Sequence, residues 1–446
     1  GATMMWIELL ILFACIVIGA RLGGIGLGTM GGIGLVILVF IFGLPPGSPP
    51  GIVLGMIIAV ITALASMQSA GGLDYLISLA TKVMRKNPRN ITFVAPFITY
   101  FLILASGTQH VIYALLPVIA EVATKAGVRP ERAMSISVTA SMYGVISSPI
   151  SAATVALLAA LVSYNVSLLQ IMMVIIPASI LGILVGTLSV AWKGKELKDD
   201  PEYQERLKSG KIQEASAAVE MAKEKIGHAR NSLIIFLVAI VIVVFIGIFP
   251  ELRPSYEMFT GKESITEQLD MGDAIMIIML AAAGIMMVFF KAKPGEAVKG
   301  SIMTGGVVAV ISILGVSWMG SSFFEGNKIE IVGGISDIIQ QAPWVLALGL
   351  FVLSMLLFSQ AATVVTLMPV GVALGMPLWV LIAVYPAVNG FFFLPTYGTV
   401  LAAVSFDRTG TTKIGNYLLN HSFMLPGFVC LIATTIFAFI ISSFVL

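Results

Sequence analysis

The run Ala105-Ser106-Gly107-Thr108-Gln109-His110-Val111 sets two hydroxyls, an amide and an imidazole between two apolar arms. Two chemistries could use such a run. Ser106 and His110, four positions apart, could pair as nucleophile and base. No Gly-x-Ser-x-Gly elbow and no paired intramembrane aspartates accompany them, which leaves an intramembrane hydrolase as a remote alternative. The second chemistry is anion binding. Backbone N–H groups at the start of a half-helix, backed by Ser106, Gly107, Thr108 and Gln109, form a site for a small anion. His110 is the one ionisable residue of the run. It serves either as a proton or coupling carrier or as a hydrogen-bonded packing residue.

Three further interruptions carry the same residue types. Ser148, Pro149 and Ser151 interrupt the long run Ala133–Ser163, and Ser137, Ser141 and Gly144 share their helix face. Ser359, Gln360 and Thr363 lie between two short apolar arms. Pro395, Thr396 and Tyr397 interrupt Leu378–Ser405. Proline removes a backbone donor and clashes with the preceding turn, so each long run should break there. The first tip precedes its proline by 149 − 106 = 43 residues and the second by 395 − 359 = 36. No Arg or Lys lies in any of the four, so the expected site is a cage of neutral donors. Such a cage avoids the cost of desolvating a fixed cation. No metal cluster is expected. A sodium ion on tip carbonyls is an open alternative as coupling ion, with cation-coupled symport as the alternative mechanism.

The elements that must position these residues follow from length and polarity. The arm Ile91–Leu104 has 14 residues and reaches only about 20 Å of a bilayer core about 30 Å thick. Its partner runs from Ile112 to about Ala123 and contains Pro117. Together they read as a re-entrant hairpin over about 91–124, because one span of that length would be too long for ordinary tilt. Trp344–Phe358 and Val364–Leu374 predict a second hairpin over about 343–375. At 58% hydrophobic, 11% charged and mean hydropathy +1.02, the chain is a polytopic helical membrane protein, not a soluble fold. Its surroundings are therefore lipid bilayer, and nothing suggests nucleic acid. Cys15 and Cys430 fall inside apolar spans and read as small core residues.

Further spans are expected at Trp6–Ala20, Ile25–Leu44, Ile52–Ala70, Leu168–Trp192, Ser232–Phe249, Ala274–Phe290, Ile302–Phe323 and Phe423–Phe444. Leu73–Asn90, with Lys82, Arg85, Lys86 and Arg89, reads as an amphipathic helix in the interface. Residues 193–230 balance nine basic against eight acidic side chains and read as a solvated cytoplasmic linker, with Ala217–Lys225 as a surface helix. Placing the basic loops in the cytoplasm gives ten crossings, two hairpins that do not cross, and both termini outside. The first hairpin then enters from the cytoplasm and the second from outside. Each half, 1–192 and 231–446, has five crossings, so the two are inverted repeats. The expected class is all-α, with two inverted repeats that each carry a re-entrant hairpin and a broken helix.

Several motifs resemble one bacterial family. They are Arg21-Leu22-Gly23-Gly24-Ile25, Ala70-Gly71-Gly72-Leu73-Asp74, the Ser-Gly-Thr tip, Leu116-Pro117-Val118-Ile119, Arg129-Pro130-Glu131-Arg132, Ser147-Ser148-Pro149-Ile150-Ser151, Ser359-Gln360-Ala361-Ala362, Leu394-Pro395-Thr396-Tyr397, Phe406 through Thr412, and Asn420-His421-Ser422-Phe423. The chain is similar over essentially its whole length to the anaerobic C4-dicarboxylate carriers, the Dcu family, and is closest to the A type. The resemblance implies exchange of fumarate, malate, aspartate and succinate across the inner membrane by an elevator-like carrier of the ion-transporter superfamily, and it is compatible with a homo-oligomer. Gln109 stands where relatives commonly have a second Gly, and Gly398 replaces a usual Pro. Val400 stands where B-type relatives have an Asp tied to sensor-kinase regulation, which counts against a sensor-kinase partner.

Overall fold

The structure, a computed structural model, describes residues 2–210, 223–357, 359–395, 397–415 and 419–446. The first half contains α1 (Ala2–Leu22), α2 (Gly26–Leu35), α3 (Gly51–Ser69), α4 (Gly72–Lys86), α5 (Ile91–Ser106), α6 (Ile112–Lys125), α7 (Pro130–Ser147), α8 (Ala152–Ala160) and α9 (Leu168–Val190). The polar connector contains α10 (Pro201–Lys208). The second half contains α11 (Lys223–Ile248), a β1–β2 hairpin (Ser255–Thr260 and Glu263–Gln268), α12 (Met271–Phe289), α13 (Pro294–Lys299), α14 (Ser301–Gly326) and α15 (Lys328–Gln341). It ends with α16 (Trp344–Leu357), α17 (Gln360–Ala373), α18 (Leu378–Val384), α19 (Gly398–Phe406) and α20 (Met424–Val445).

Among the described residues, eight helices are long and apolar enough to cross a bilayer, or nine when the bent pair α7–α8 counts as one span. The expected ten differ in three places. Gly26–Ile41, π-helical from Val36, is short, because the chain turns at Gly43 with φ +71° and Pro45-Pro46 follow. Leu378–Phe392, which is 3₁₀ from Tyr385 onward, is short as well, because α19 begins only at Gly398. The arm expected to be too short, Ile91–Leu104, is part of a 19-residue helical stretch from Pro88 to Ser106. Pro88 supplies the fixed φ of a first helical turn, so the helix starts before the apolar residues do.

The β1–β2 hairpin corrects the all-α expectation. Both strands are exposed along their whole length, so no buried stripe marks them in the sequence. The connector is also less solvated than its charge balance suggests, since Leu197 and Asp200 are buried. Of the helix expected at Ala217–Lys225, residues 217–222 lie outside the described residues; from Lys223 the chain is helical. The amphipathic α4 buries Ile77, Ala80 and Met84 towards α6 and α11 and leaves its basic residues exposed.

The helices pack as two groups with swapped partners. In one group α2 lies on α14 while α12 lies on α3, and α1 touches α14 while α11 touches α3. Small residues permit this: a Cβ on Gly31 would fall 2.3 Å from the Gly315 carbonyl carbon, so the α2 and α14 backbones touch. In the other group α5 packs on α7 and α16 on the 385–392 segment, while α17 lies on α8 and α6 on α19. Every residue of α7 is buried, which puts that helix at the centre of the second group.

Candidate functional site

The first tip is a helix stop followed by a cap. Gly107 adopts φ +75°, a conformation that costs glycine little, and its N–H donates to the Ile103 carbonyl at 2.7 Å. The Thr108 hydroxyl then accepts the His110 N–H at 3.3 Å and starts a 3₁₀ turn over Gln109–Val111. Ser106 turns its hydroxyl back to the Ile103 carbonyl, away from any pairing with His110. A Cβ on Gly107 would lie 3.3 Å from Ser148 Oγ, so the tip rests directly on the first helix break.

At that break α7 and α8 bend by 42°. Ser148 and Ser151 are extended, with ψ 132° and 154°, on either side of Pro149. Ser151 Oγ accepts the Thr154 N–H at 3.1 Å and so caps α8. Ser148 Oγ accepts from the Ile150 N–H at 3.4 Å. Both serines are buried.

The second tip is shorter than expected. Residues 359–363 read as a polar turn, but α17 begins at Gln360. The reason is local: Ser359 Oγ accepts the Ala362 N–H at 3.1 Å, and Thr363 Oγ1 donates to the Ser359 carbonyl at 2.7 Å. Thr363 therefore spends its proton inside the tip. At the second break Tyr397 is extended ahead of α19, with its ring centroid 4.7 Å from that of Phe391. Pro395 precedes it, and Thr396 lies outside the described residues. Gly398 leaves room for the Tyr113 hydroxyl, which a Cβ would approach to 2.5 Å. A side chain in place of Gly398 would collide there.

Long-range bonds join these interruptions. Gln109 donates from Nε2 to Ser141 Oγ at 2.8 Å and accepts the Tyr397 hydroxyl on Oε1 at 3.3 Å. Gln360 donates from Nε2 to the Met142 carbonyl at 2.7 Å and to Asn389 Oδ1 at 2.5 Å. Each tip thus bridges the broken helix of its own half and that of the other. Gln109 is one of the two bridging side chains.

His110 goes elsewhere. Its Nε2 sits where a Cβ on Gly305 of α14 would be, 2.1 Å away, and its ring lies 5.9 Å from that of Tyr113. It joins the tip to α14 and makes no bond to the bridging amides. Asn389 is a bonding partner of the second tip that the sequence reading missed. Its signal is positional: it stands six residues before Pro395, as Tyr143 stands six before Pro149 (395 − 389 = 149 − 143 = 6).

The basic and acidic motif residues form a separate knot. Arg129 pairs with Asp200 at 2.7 Å and with Glu131 at 3.2 Å. The Glu131 N–H donates to Thr411 Oγ1 at 3.1 Å, and its carboxylate accepts the Ser422 hydroxyl at 2.6 Å. Asp407 caps its own loop by accepting from Thr409, Thr411 and Thr412. These residues tie the connector and the loop after α19 to the start of α7, and they account for motifs that carry charge without facing the tips. Burial pushes the Asp200 carboxyl up, but the Tyr203 N–H and the Arg129 guanidinium outweigh it and hold it below the ordinary carboxylate value.

Comparison with known proteins identifies relatives over the whole chain. Residues 4–446 match the family described as "Anaerobic c4-dicarboxylate membrane transporter". The C4-dicarboxylate transporter DcuA of Wolinella succinogenes is 39% identical over 445 residues, 99% of this chain and 100% of the relative. DcuA of Escherichia coli K12 is 39% identical over 444 residues, again 99% and 100%. The anaerobic C4-dicarboxylate transporter DcuB of Escherichia coli O157:H7 is 37% identical over 445 residues, 98% of each chain.

Proposed function

The chain belongs to the family of anaerobic C4-dicarboxylate membrane transporters, and we propose that it exchanges one C4-dicarboxylate for another across the bacterial inner membrane. In this reading the substrate binds where the four interruptions meet, and access alternates between the two sides. The observation that carries it is the pair of bridging amides. Gln109 and Gln360 each span from a tip to both broken helices, so the four interruptions are tied into one unit. In this reading the backbone N–H of Ser151 at the start of α8 and the second Nε2 proton of Gln109 donate to the carboxylates, while Gly107, Ser148, Gln360 and Tyr397, whose protons bond within the protein, hold the shape of the site. Ser106, Thr108, Pro149, Ser359, Thr363 and Pro395 shape and cap it.

The swapped packing of α2 on α14 with α12 on α3, and of α17 on α8 with α6 on α19, supports an inverted repeat. The separation into a group around α3 and α14 and a group around α7 and α20 supports an elevator, in which the second group moves against the first. His110, set against Gly305, is the contact between tip and α14. The charge placement supports a cytoplasmic position for the connector 193–230.

The test is counterflow in proteoliposomes. Efflux of preloaded labelled succinate should accelerate when fumarate or aspartate is added outside, because an empty site without a fixed cation reorients poorly. Efflux equally fast into substrate-free buffer would refute exchange. The same assay with and without sodium separates exchange from sodium-coupled symport.

A further inference from the structure

Tyr143 and Asn389 hold equivalent places on the two broken helices, and both are buried, at 1% and 0% exposure. Neither the Tyr143 hydroxyl nor Asn389 Nδ2 makes a hydrogen bond of ordinary length and angle. The two lie within weak hydrogen-bonding reach of one another, and Cys430 and Thr434 stand beside the phenol in the same way. The amide's orientation is fixed, because Oδ1 takes the Gln360 N–H at 2.5 Å and Nδ2 must face the other way. Asn389 also departs from the helix around it, at φ −94° and ψ 30°, so the chain opens where the amide sits. Buried donors are almost always satisfied, and in a membrane interior no bulk water can do it. Two weakly satisfied donors side by side, one from each half, would gain from an oxygen acceptor. A cation would need carbonyl or carboxylate oxygens instead, and these atoms are O–H and N–H.

We propose that the Tyr143 hydroxyl and the Asn389 amide nitrogen form an inner donor pair for one carboxylate of the transported dicarboxylate. This rests on the exchange reading above and adds two side chains to its site. Gln360 then has a second task, because its bond to Oδ1 holds Asn389 in the donating orientation. A resident water would satisfy the same donors, and the two sources differ in a measurable way. A hydroxyl left weakly satisfied until substrate arrives does little for the empty protein. A hydroxyl bonded to a structural water stabilises it.

The experiment is Tyr143→Phe on the purified full-length protein, with succinate affinity by calorimetry and melting temperature without ligand. The expected result is affinity weakened about tenfold, with the melting temperature of the empty protein unchanged or raised. Unchanged affinity would overturn the inference whatever the melting temperature does. Weaker binding at a lower melting temperature would mark a folding role and would overturn it too. Wild-type protein that binds no C4-dicarboxylate would remove the exchange reading itself, a result distinct from either.

Discussion

Gly305→Ala tests how the first tip is seated on α14. A Cβ there would lie 2.1 Å from His110 Nε2, 2.5 Å from Cε1 and 3.0 Å from Cδ2. Ordinary contact begins near 3.4 Å, so the imidazole must retreat by at least 3.4 − 2.1 = 1.3 Å. It has little freedom, because the Tyr113 ring stands on one side and the His110 N–H is tied to Thr108 Oγ1. Overpacking of this kind costs about 1–3 kcal/mol. The cost falls only on the arrangement in which the tip sits at Gly305. If the tip moves along α14 during transport, the equilibrium between arrangements shifts by roughly 5- to 150-fold. Exchange should slow accordingly while the melting temperature changes little. His110→Ala removes the obstructing ring, so Gly305→Ala with His110→Ala should recover exchange, and a double-mutant cycle should return the lost energy as coupling. Wild-type exchange by Gly305→Ala would refute the moving-tip reasoning. Failure of the double variant to recover, with His110→Ala itself inactive, would instead assign the imidazole a proton-handling role.

Two further outcomes follow from the knot around α7 and the turn before α20. Asp407→Asn puts an amide N–H₂ where a carboxylate oxygen now accepts from Thr409 or from Thr411 and Thr412. It should cost about 3 kcal/mol, read as a lower melting temperature, and an unchanged one would show that the loop does not need the carboxylate. His421 accepts the Phe423 N–H on Nδ1 at 3.2 Å and therefore donates from Nε2 to the Phe393 carbonyl at 2.9 Å, which fixes it neutral. Burial lowers its pKa, opposed by the Phe393 carbonyl and aided by the Lys193 charge. A folded pKa below the unfolded value of about 6.5 gives stability that is complete above that value and is lost as pH falls through the folded pKa. The melting temperature should hold above about pH 7 and decline below pH 6.5, and a decline that survives His421→Gln would place the cause elsewhere.

What the sequence alone determined is local. Pro149 and Pro395 lack a backbone donor, and Gly107 tolerates a left-handed φ, so the sequence marks places where a helix can break; Pro96, Pro117, Pro177 and Pro369 stay inside α5, α6, α9 and α17, so packing decides which of them are used. The apolar runs likewise set the class, because length and hydropathy suffice to recognise a bilayer segment. Ser359 carried a legible cap signal too, and with it the start of α17 at Gln360 could have been found. The β1–β2 hairpin could not, since strands exposed on both faces leave no alternation of polarity. The 3₁₀ character of Tyr385–Phe392 depends on packing against α16, which propensity does not record. Only the tertiary structure decided that Gln109 meets Tyr397 across 288 positions and that Gln360 meets the Met142 carbonyl across 218. It also decided that His110 faces α14 while Asn389 faces the tips. The place where a break can form is written into a few bonded neighbours. The partner that satisfies a donor at the break is chosen by which helices pack together, and no local pattern encodes that choice.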